Sequence, residues 1–324
     1  MINSPSAPTD LISVVVPTYN SEIFISTTLA RIIRSMEALE KSFEIIIVND
    51  GSSDRTWPVV CQYAESDARI SAINLLKNYG QHSALMCGLR HTRGKYVVTL
   101  DDDLQNPPEE IPRLLDHCFQ GHHDLVIGEF VSPKKSRLRM LGTGTINRLV
   151  TRVFYKSHDL KLSTFRVIRR DVVDRVCQSN NPTPYITGEL IFAAGSISNL
   201  EVRHDVRIAG KSTYNPFKII ELIRRIMFSY SIELLRFSCR LGAIAAAIAF
   251  IFSVVMIFRG LVLNGVVPGW TSIVATTSFF SGVIILLLSM VGEYLSVVLL
   301  QIRGTPAYRE IAVVKDCKLA PSEF

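Results

Sequence analysis

The sequence contains no CxxC pair, no GxxxxGK[ST] loop and no GxSxG elbow. The missing loop removes the P-loop nucleotidases, and the missing elbow leaves Ser-His-Asp hydrolysis without a nucleophile. Its six cysteines, Cys61, Cys87, Cys118, Cys177, Cys239 and Cys317, are scattered over 324 residues. They predict reduced thiols packed as small hydrophobes, with no disulfide framework and no zinc-ligand spacing. Charge is also scarce. Charged residues make up 20%, and 35 Lys+Arg against 29 Asp+Glu leave a net of +6. No basic stripe or matching fold motif accompanies that excess, so a nucleic-acid partner is not expected. The mild excess suits anionic lipid or phosphate. No secretory leader is expected at Met1–Asp10, which is polar, and Leu11–Val16 is too short for an apolar core. Gly142-Thr143-Gly144 follows a basic stretch and lacks a third glycine, so it is no dinucleotide loop. His122-His123-Asp124 reads as an ordinary loop.

What is plentiful is apolar. Hydrophobic residues reach 48%, with a mean hydropathy of +0.26. That excludes disordered and collagen-like chains, and the length allows two or three domains. Leu241–Phe258 carries no charge. At ~1.5 Å per residue such a helix covers about 27 Å, close to a bilayer's hydrocarbon thickness. A second uncharged run starts near Trp270, after Asn264-Gly265 and Pro268-Gly269, and ends at Gly292. Trp270 suits an interfacial anchor, and Glu293 lies at the end of this run. Lys218, Arg224, Arg225, Arg236 and Arg240 precede the first run; Arg303, Arg309 and Lys315 follow the second. The positive-inside rule then puts both ends in the cytoplasm. Phe217–Phe237 alternates apolar and basic residues, as either an interfacial helix or one packed on the globular part would. The expected organisation is a cytoplasmic α/β domain over 1–216, an amphipathic interfacial helix over 217–240, two membrane helices within 241–300 (about 241–258 and 270–292), and a cytoplasmic tail over 301–324. Thr276 and Thr277 suggest helix–helix contacts and hence a homo-oligomer.

Residues 11 to about 130 alternate strand and helix patterns. Strands are predicted at Ile12–Pro17, Phe43–Asn49, Ile70–Leu75, Tyr96–Leu100 and Leu125–Glu129. Helices are predicted at Ser21–Leu39, Thr56–Ser66, Gln81–His91 and Pro108–His117. This alternation implies a mainly parallel, Rossmann-like sheet with helices on both faces, whose ligand lies beyond the carboxyl ends of the strands. Polar motifs fall at those ends: Pro17-Thr18-Tyr19-Asn20, then Asn49-Asp50-Gly51-Ser52-Ser53-Asp54, then Asp101-Asp102-Asp103-Leu104-Gln105. A carboxylate at Asp50 can accept hydrogen bonds from a base or ribose, but taken alone it reads better as turn chemistry plus an N-cap for the next helix. Three consecutive carboxylates at a strand end repel one another unless a cation neutralises them, and oxygen ligands suit Mg2+ or Mn2+.

Together these motifs resemble the family-2 glycosyltransferases of GT-A fold, which carry VVPTYN, NDGSSD and a DxD-type cluster in that order. TLDDDLQNPPEEIPRL resembles the polyprenyl-phosphate glycosyltransferase branch, which includes dolichol-phosphate mannose synthase. The stretch from Asn78 to Leu114 is especially similar to the undecaprenyl-phosphate 4-deoxy-4-formamido-L-arabinose transferases, a bacterial group. The resemblance implies an inverting transfer of a sugar from a nucleotide sugar to a polyprenyl (undecaprenyl) phosphate. The setting it implies is the cytoplasmic face of the inner membrane, in cell-envelope or lipopolysaccharide modification. It implies that Pro17 and Tyr19 line the nucleotide pocket, that Asp50 contacts the base, and that Asp101 and Asp102 lie beside the nucleotide sugar. Asp103 would bind the metal, Mg2+ or Mn2+, with Gln105 as a second ligand. The segment from Arg207 to Tyr214 resembles the family's RxxGxSKY, so Arg207, Lys211 and Ser212 would face donor or lipid phosphate, with Asp103 and Arg207 as the catalytic pair.

Departures are visible as well. Ser21 stands where the family has Glu, Asp102 where Ala is usual, Lys77 where Arg is usual, and Thr213 where Lys is usual. Thr164 stands where an acidic residue is typical. A phosphate acceptor is already anionic at neutral pH, so the reaction can do without a strong base and rest on positioning and charge stabilisation. A processive polysaccharide synthase would carry QxxRW, which neither Trp57 nor Trp270 provides. The alternative from another class is a catalytically silent membrane scaffold serving a lipid-linked sugar flippase.

Overall fold

Every residue of the first strand, β1 (Ile12–Thr18), is buried. A strand covered on both faces belongs at the centre of an α/β sheet. The computed structural model describes residues 11–130, 160–179, 181–182, 184–203, 269–302, 306–315 and 318–320, with isolated positions between 240 and 251. By internal contacts the chain divides into one unit of residues 1–213 with 304–324 and a second of 214–303.

In the first unit β1 is followed by α1 (Ile25–Glu37), β2 (Phe43–Asn49), α2 (Thr56–Ser66), β3 (Ile70–Leu75), α3 (Gln81–His91) and β4 (Tyr96–Thr99). A short 3-10 turn at Pro108–Glu110 leads into α4 (Ile111–Gln120), and β5 (Leu125–Phe130) follows. Then come β6 (Arg166–Arg169), α5 (Arg170–Cys177), α6 (Ile186–Ala193), β7 (Ile197–Val202), β8 (Glu310–Lys315) and β9 (Lys318–Ala320). The strand order is β7-β5-β6-β4-β1-β2-β3-β8-β9. β4, β1, β2 and β3 run parallel, as do β5 and β7. β6 and β8 are antiparallel to their neighbours, so the sheet is mixed.

The helical periodicity decides which face each helix covers. Ile25, Leu29, Ile32 and Met36 of α1, Val60 and Ala64 of α2, and Ile111, Leu114, Leu115 and Cys118 of α4 share one core with Ile12, Val14 and Val16. These are i, i+3/i+4 positions meeting every second residue of a strand. α3 lies on the other face, where Gly88 comes so close that a Cβ there would sit 2.3 Å from Val15 Cγ1. α5 and α6 pack beside it.

Two differences from the sequence reading in this unit have physical causes. Helix α1 begins at Ile25 rather than Ser21: Ser21 is tied to the next loop by its amide donating to Thr56 Oγ1 at 2.8 Å, and its carbonyl accepts the Phe24 and Ile25 amides at 2.9 Å in a turn that precedes the helix. Residues after 303, expected as a tail, return to the sheet: β8 pairs antiparallel with β3, Ala72 opposite Val314 and Ile73 opposite Val313, and Val314 is buried. An edge strand as apolar as β3 requires such cover.

In the second unit, α7 (Trp270–Ile302) is one helix of 33 residues, apolar all round. It continues past the expected end at Gly292, since nothing from Glu293 to Ile302 breaks a helix. Its Phe279–Ser296 stretch is long and apolar enough to cross a membrane. Ile273, Phe279, Ile284, Ile285 and Leu288 are exposed. The amphipathic segment 217–237 lies outside the described residues, and the first expected span, 241–258, lies almost wholly outside them.

Candidate active site

The site follows from where β1 and β4 part. β1 sends its connections to β2 on one side and pairs with β4 on the other, so the topology switches between them. Ligands of open α/β sheets sit in that crevice, at the strands' carboxyl ends. Here β4 pairing stops at Val15 opposite Thr99, while β1 runs on beside β2 to Thr18. The Val15 carbonyl still accepts from the Leu100 amide at 3.3 Å. Pro17, two residues on, would have faced the same side, where β4 has already diverged. Its missing N–H therefore costs no ladder bond.

A cleft of about 300 Å³ opens there, lined among others by Pro17, Tyr19, Asp50, Gln81, Asp101 and Asp103. Asp102, Thr18, Asn78 and Gly80 also line it. The sequence-predicted residues Pro17, Tyr19, Asp50, Asp101, Asp102 and Asp103 thus meet in one place. Gln105 is half-buried on the loop just beyond. Arg207, Lys211 and Ser212 lie outside the described residues.

Each carboxylate has a different environment. Asp50 is buried, and its two oxygens accept the backbone amides of Tyr79 (2.8 Å) and Gly80 (2.9 Å). It therefore clamps the loop leaving β3, a role more specific than turn chemistry. Burial nevertheless raises its pKa, although both amide bonds pull the other way. Asp101 accepts from Gln81 Nε2 (2.5 Å) and Thr164 Oγ1 (2.6 Å). Burial chiefly, with the neighbouring Asp103 and Asp102 charges, pushes it up to about 6. Asp102 accepts from the Ser21 hydroxyl, its backbone carbonyl accepts from Thr28 Oγ1 at 2.8 Å, and burial raises its pKa. Asp103 accepts the Gln105 amide at 3.2 Å. Between them Leu104 holds φ 61°, a left-handed conformation that a leucine adopts only when its surroundings enforce it. Here Leu104 is buried.

The remaining motif residues tie the loops together. Asn20 Oδ1 accepts the Ser53 amide (2.9 Å), and Ser52 Oγ accepts the Asn20 amide (2.9 Å). Asp54 accepts from Thr56 Oγ1 (2.5 Å) and the Glu22 amide (3.2 Å). Gly51 has φ 64°, and a Cβ there would fall 2.5 Å from the Lys77 carbonyl carbon.

The family model for glycosyl transferase family 2 matches residues 13–177, from the second residue of β1 to the end of α5. The chain belongs to that family. It is 32% identical over 304 residues to an undecaprenyl-phosphate 4-deoxy-4-formamido-L-arabinose transferase of Edwardsiella ictaluri, covering 92% of each chain. It is 31% identical to the enzyme of the same name from Photorhabdus laumondii, covering 95% of each. Mannosyl-3-phosphoglycerate synthase from Rubrobacter xylanophilus superposes with a TM-score of 0.50 at 14% identity, over 67% of this chain and 74% of that one. This chain is therefore a glycosyltransferase, with the GT-A-like α/β fold expected from its motifs.

For a family-2 glycosyltransferase, two contacts in the site were missed by the sequence reading. Gln81 and Thr164 donate to different oxygens of Asp101, and Thr164 reaches it from 63 residues away. Gln81 had a signal, since it opens the helix that follows the carboxyl end of β3. Thr164 was marked in the sequence only by the resemblance, as the position where an acidic residue is typical, and its bond to Asp101 had no signal in spacing. Arg166, fully buried, lies behind Asp101, and burial pushes its pKa down to about 10 against the pull of Asp101. Its Nη2 has no hydrogen-bond partner among the described residues.

Proposed function

We propose that this glycosyltransferase moves a sugar from a nucleotide-sugar donor to a polyprenyl phosphate, the acceptor class in its relatives' names, at the cytoplasmic face of a bacterial inner membrane. The observation that carries the donor half is the cluster Asp101–Asp103 beside Tyr19 and Asp50 in one cleft. Tyr19, 47% exposed, offers a ring for stacking on the base. Asp50 and Gly80 would present the loop that receives the nucleoside, with Asp101 and Asp102 beside the sugar.

The donor set fits a hard divalent cation. Three carboxylates share one strand end, an oxygen-rich set of like charges that a cation would neutralise. Gln81, Thr164 and Ser21 hold Asp101 and Asp102 within the fold, and the resemblance to family-2 glycosyltransferases supports Asp103, with Gln105, as the proposed metal ligands beside them. Mg2+ or Mn2+ bound there would act as a Lewis acid on the departing diphosphate. The chain's own residues orient the donor: Thr164 and Gln81 fix Asp101, and Ser21 fixes Asp102. Arg207, Lys211 and Ser212 would face the phosphates. The acceptor phosphate brings its own negative charge to the sugar C1, so the absence of an acid at Thr164 is compatible with inverting attack.

Topology supports the membrane setting. The chain leaves the globular unit after residue 213 and re-enters it at 304. A globular unit on one side of a bilayer requires an even number of crossings between those points. α7 would supply one and residues 241–258 the other. A homo-oligomer joined through the face of Thr276 and Thr277 belongs to the same proposal.

The test incubates detergent-extracted protein with undecaprenyl phosphate, Mg2+ or Mn2+, and a panel of nucleotide sugars. Nucleoside diphosphate release that requires the lipid and disappears in Asp103→Ala is the expected result. Lipid-independent release would shift the acceptor. No release and no nucleotide binding would leave the silent scaffold as the better account.

A further inference from the structure

A second cluster lies where α3 meets the returning strand β8. Cys87 and His91 are one helical turn apart near the carboxyl end of α3, and Glu310 opens β8. Their ligand atoms all lie within 4.8 Å of one another. Glu310 comes from 223 residues beyond Cys87, so no local spacing could have shown the group. Cys87 is buried, while His91 and Glu310 reach solvent with side chains 34% and 20% exposed. An ion would therefore have an entry path.

The geometry around the imidazole is informative. His91 Nδ1 lies 3.0 Å from the Cys87 carbonyl oxygen. A carbonyl only accepts, so Nδ1 carries a proton, and a neutral ring keeps its lone pair on Nε2. That nitrogen is 3.5 Å from Glu310 Oε2, a second lone-pair donor. Cys87 Sγ is 3.4 Å from Glu310 Oε1. Two such donors face each other comfortably only with a proton or a cation between them. Ring N–H to a backbone carbonyl is also the arrangement that orients metal-binding histidines. Zinc holds sulfur at about 2.3 Å and nitrogen or oxygen at about 2.0–2.1 Å, which separates tetrahedral ligands by roughly 3.3–3.5 Å. The separations of 3.5 and 3.4 Å are of that size; they end on the two different oxygens of Glu310, and all the ligand atoms lie within 4.8 Å, so a small carboxylate rotation and side-chain closure would complete the set around an ion.

We propose that Cys87, His91 and Glu310 form a binding site for a divalent transition ion of the zinc class, separate from the carboxylate cluster of the cleft. Sulfur, imidazole and one carboxylate are the softer donor set that zinc takes and magnesium does not. Burial and the Glu310 charge hold the Cys87 thiol protonated without an ion. Binding breaks the S–H bond, forms a metal–thiolate bond and releases one proton to solvent. The ion would fasten β8, the strand that follows the apolar unit, to the helix whose first turn supplies Gln81 to the cleft.

The full-length chain in detergent, stripped with chelator, is titrated with Co2+. The expected result is one equivalent giving an intense near-ultraviolet thiolate-to-cobalt band, displaced by Zn2+ and absent in Cys87→Ser. Asp103→Asn should leave the band unchanged, because oxygen ligands give none. Should Cys87→Ser fold poorly, the partly exposed His91→Asn decides: affinity should fall at least ~10-fold, given that changes outside the ligand set alone cost about 10–100-fold. Zn2+ should raise the Tm of the wild type and of Asp103→Asn but not of His91→Asn. No thiolate band, or a band undiminished in both Cys87→Ser and His91→Asn, overturns the site and leaves a thiol–carboxylate–imidazolium set of hydrogen bonds. Either result is independent of sugar transfer.

Discussion

The three aspartates after β4 do different work, and single substitutions should separate them. Asp103→Asn removes one of three adjacent charges without touching the Gln81 or Thr164 bonds. Transfer should fall by about 10²-fold or more, the scale of losing one transition-state contact. The Tm should stay level or rise, because like-charge repulsion is relieved. A clear drop in Tm with transfer intact would mean that Asp103 is structural. Thr164→Val removes a hydrogen bond to a buried carboxylate, worth about 1.5–3 kcal/mol, and Thr164→Ser should restore it in denaturant unfolding. Asp50→Asn puts an NH2 donor against a backbone amide of Tyr79 or Gly80. It should cost about 1–3 kcal/mol and weaken nucleotide binding by more than it slows a saturated enzyme. Unchanged nucleotide affinity would separate that loop from the donor.

At the scale of elements, most of the parallel half was legible. β2, α2, β3 and α3 have the bounds expected from their patterns. Each is a short apolar run or an amphipathic stretch punctuated by Asp, Gly or Asn, so local preference and tertiary demand agree. The later elements were not legible. β6 has four residues, and α5 and α6 have eight each. Such short pieces hold their shape through packing rather than periodicity. The contact between α3 and β1 is the tightest test of that packing. Gly88→Ala places a Cβ 2.3 Å from Val15 Cγ1, and overpacking of this kind costs about 1–3 kcal/mol. Combining it with Val15→Ala should recover part of that loss in a double-mutant cycle. Strict additivity would show that α3 shifts rather than clashes.

At the scale of the whole molecule, the returning strand constrains the proposed membrane arrangement. Because β8 belongs to the same sheet as β1, residues 214–303 form an excursion with both ends on one unit. In intact cells, Asn264→Cys should react with a membrane-impermeant maleimide, and Ser53→Cys only after permeabilisation. Labelling of both from the same side would exclude the even crossing. The background cysteines are controlled by labelling the unsubstituted chain in parallel.

The sequence by itself determined the family, the alternating α/β core, the carboxylates at the strand ends and an apolar span, because each is written in consecutive residues or a short period. It also placed Pro17, Tyr19, Asp50 and Asp101–Asp103 at the same edge, since parallel strands share one carboxyl end. Only the tertiary structure decided that Asp50 holds the Tyr79–Gly80 loop, that Thr164 and Gln81 donate to Asp101, and that the chain after residue 303 closes the sheet beside β3. The physical reason is common to all three. These contacts join residues from 20 to more than 200 positions apart. Their partners are chosen by burial and hydrogen-bond satisfaction in the folded state, which no local pattern encodes.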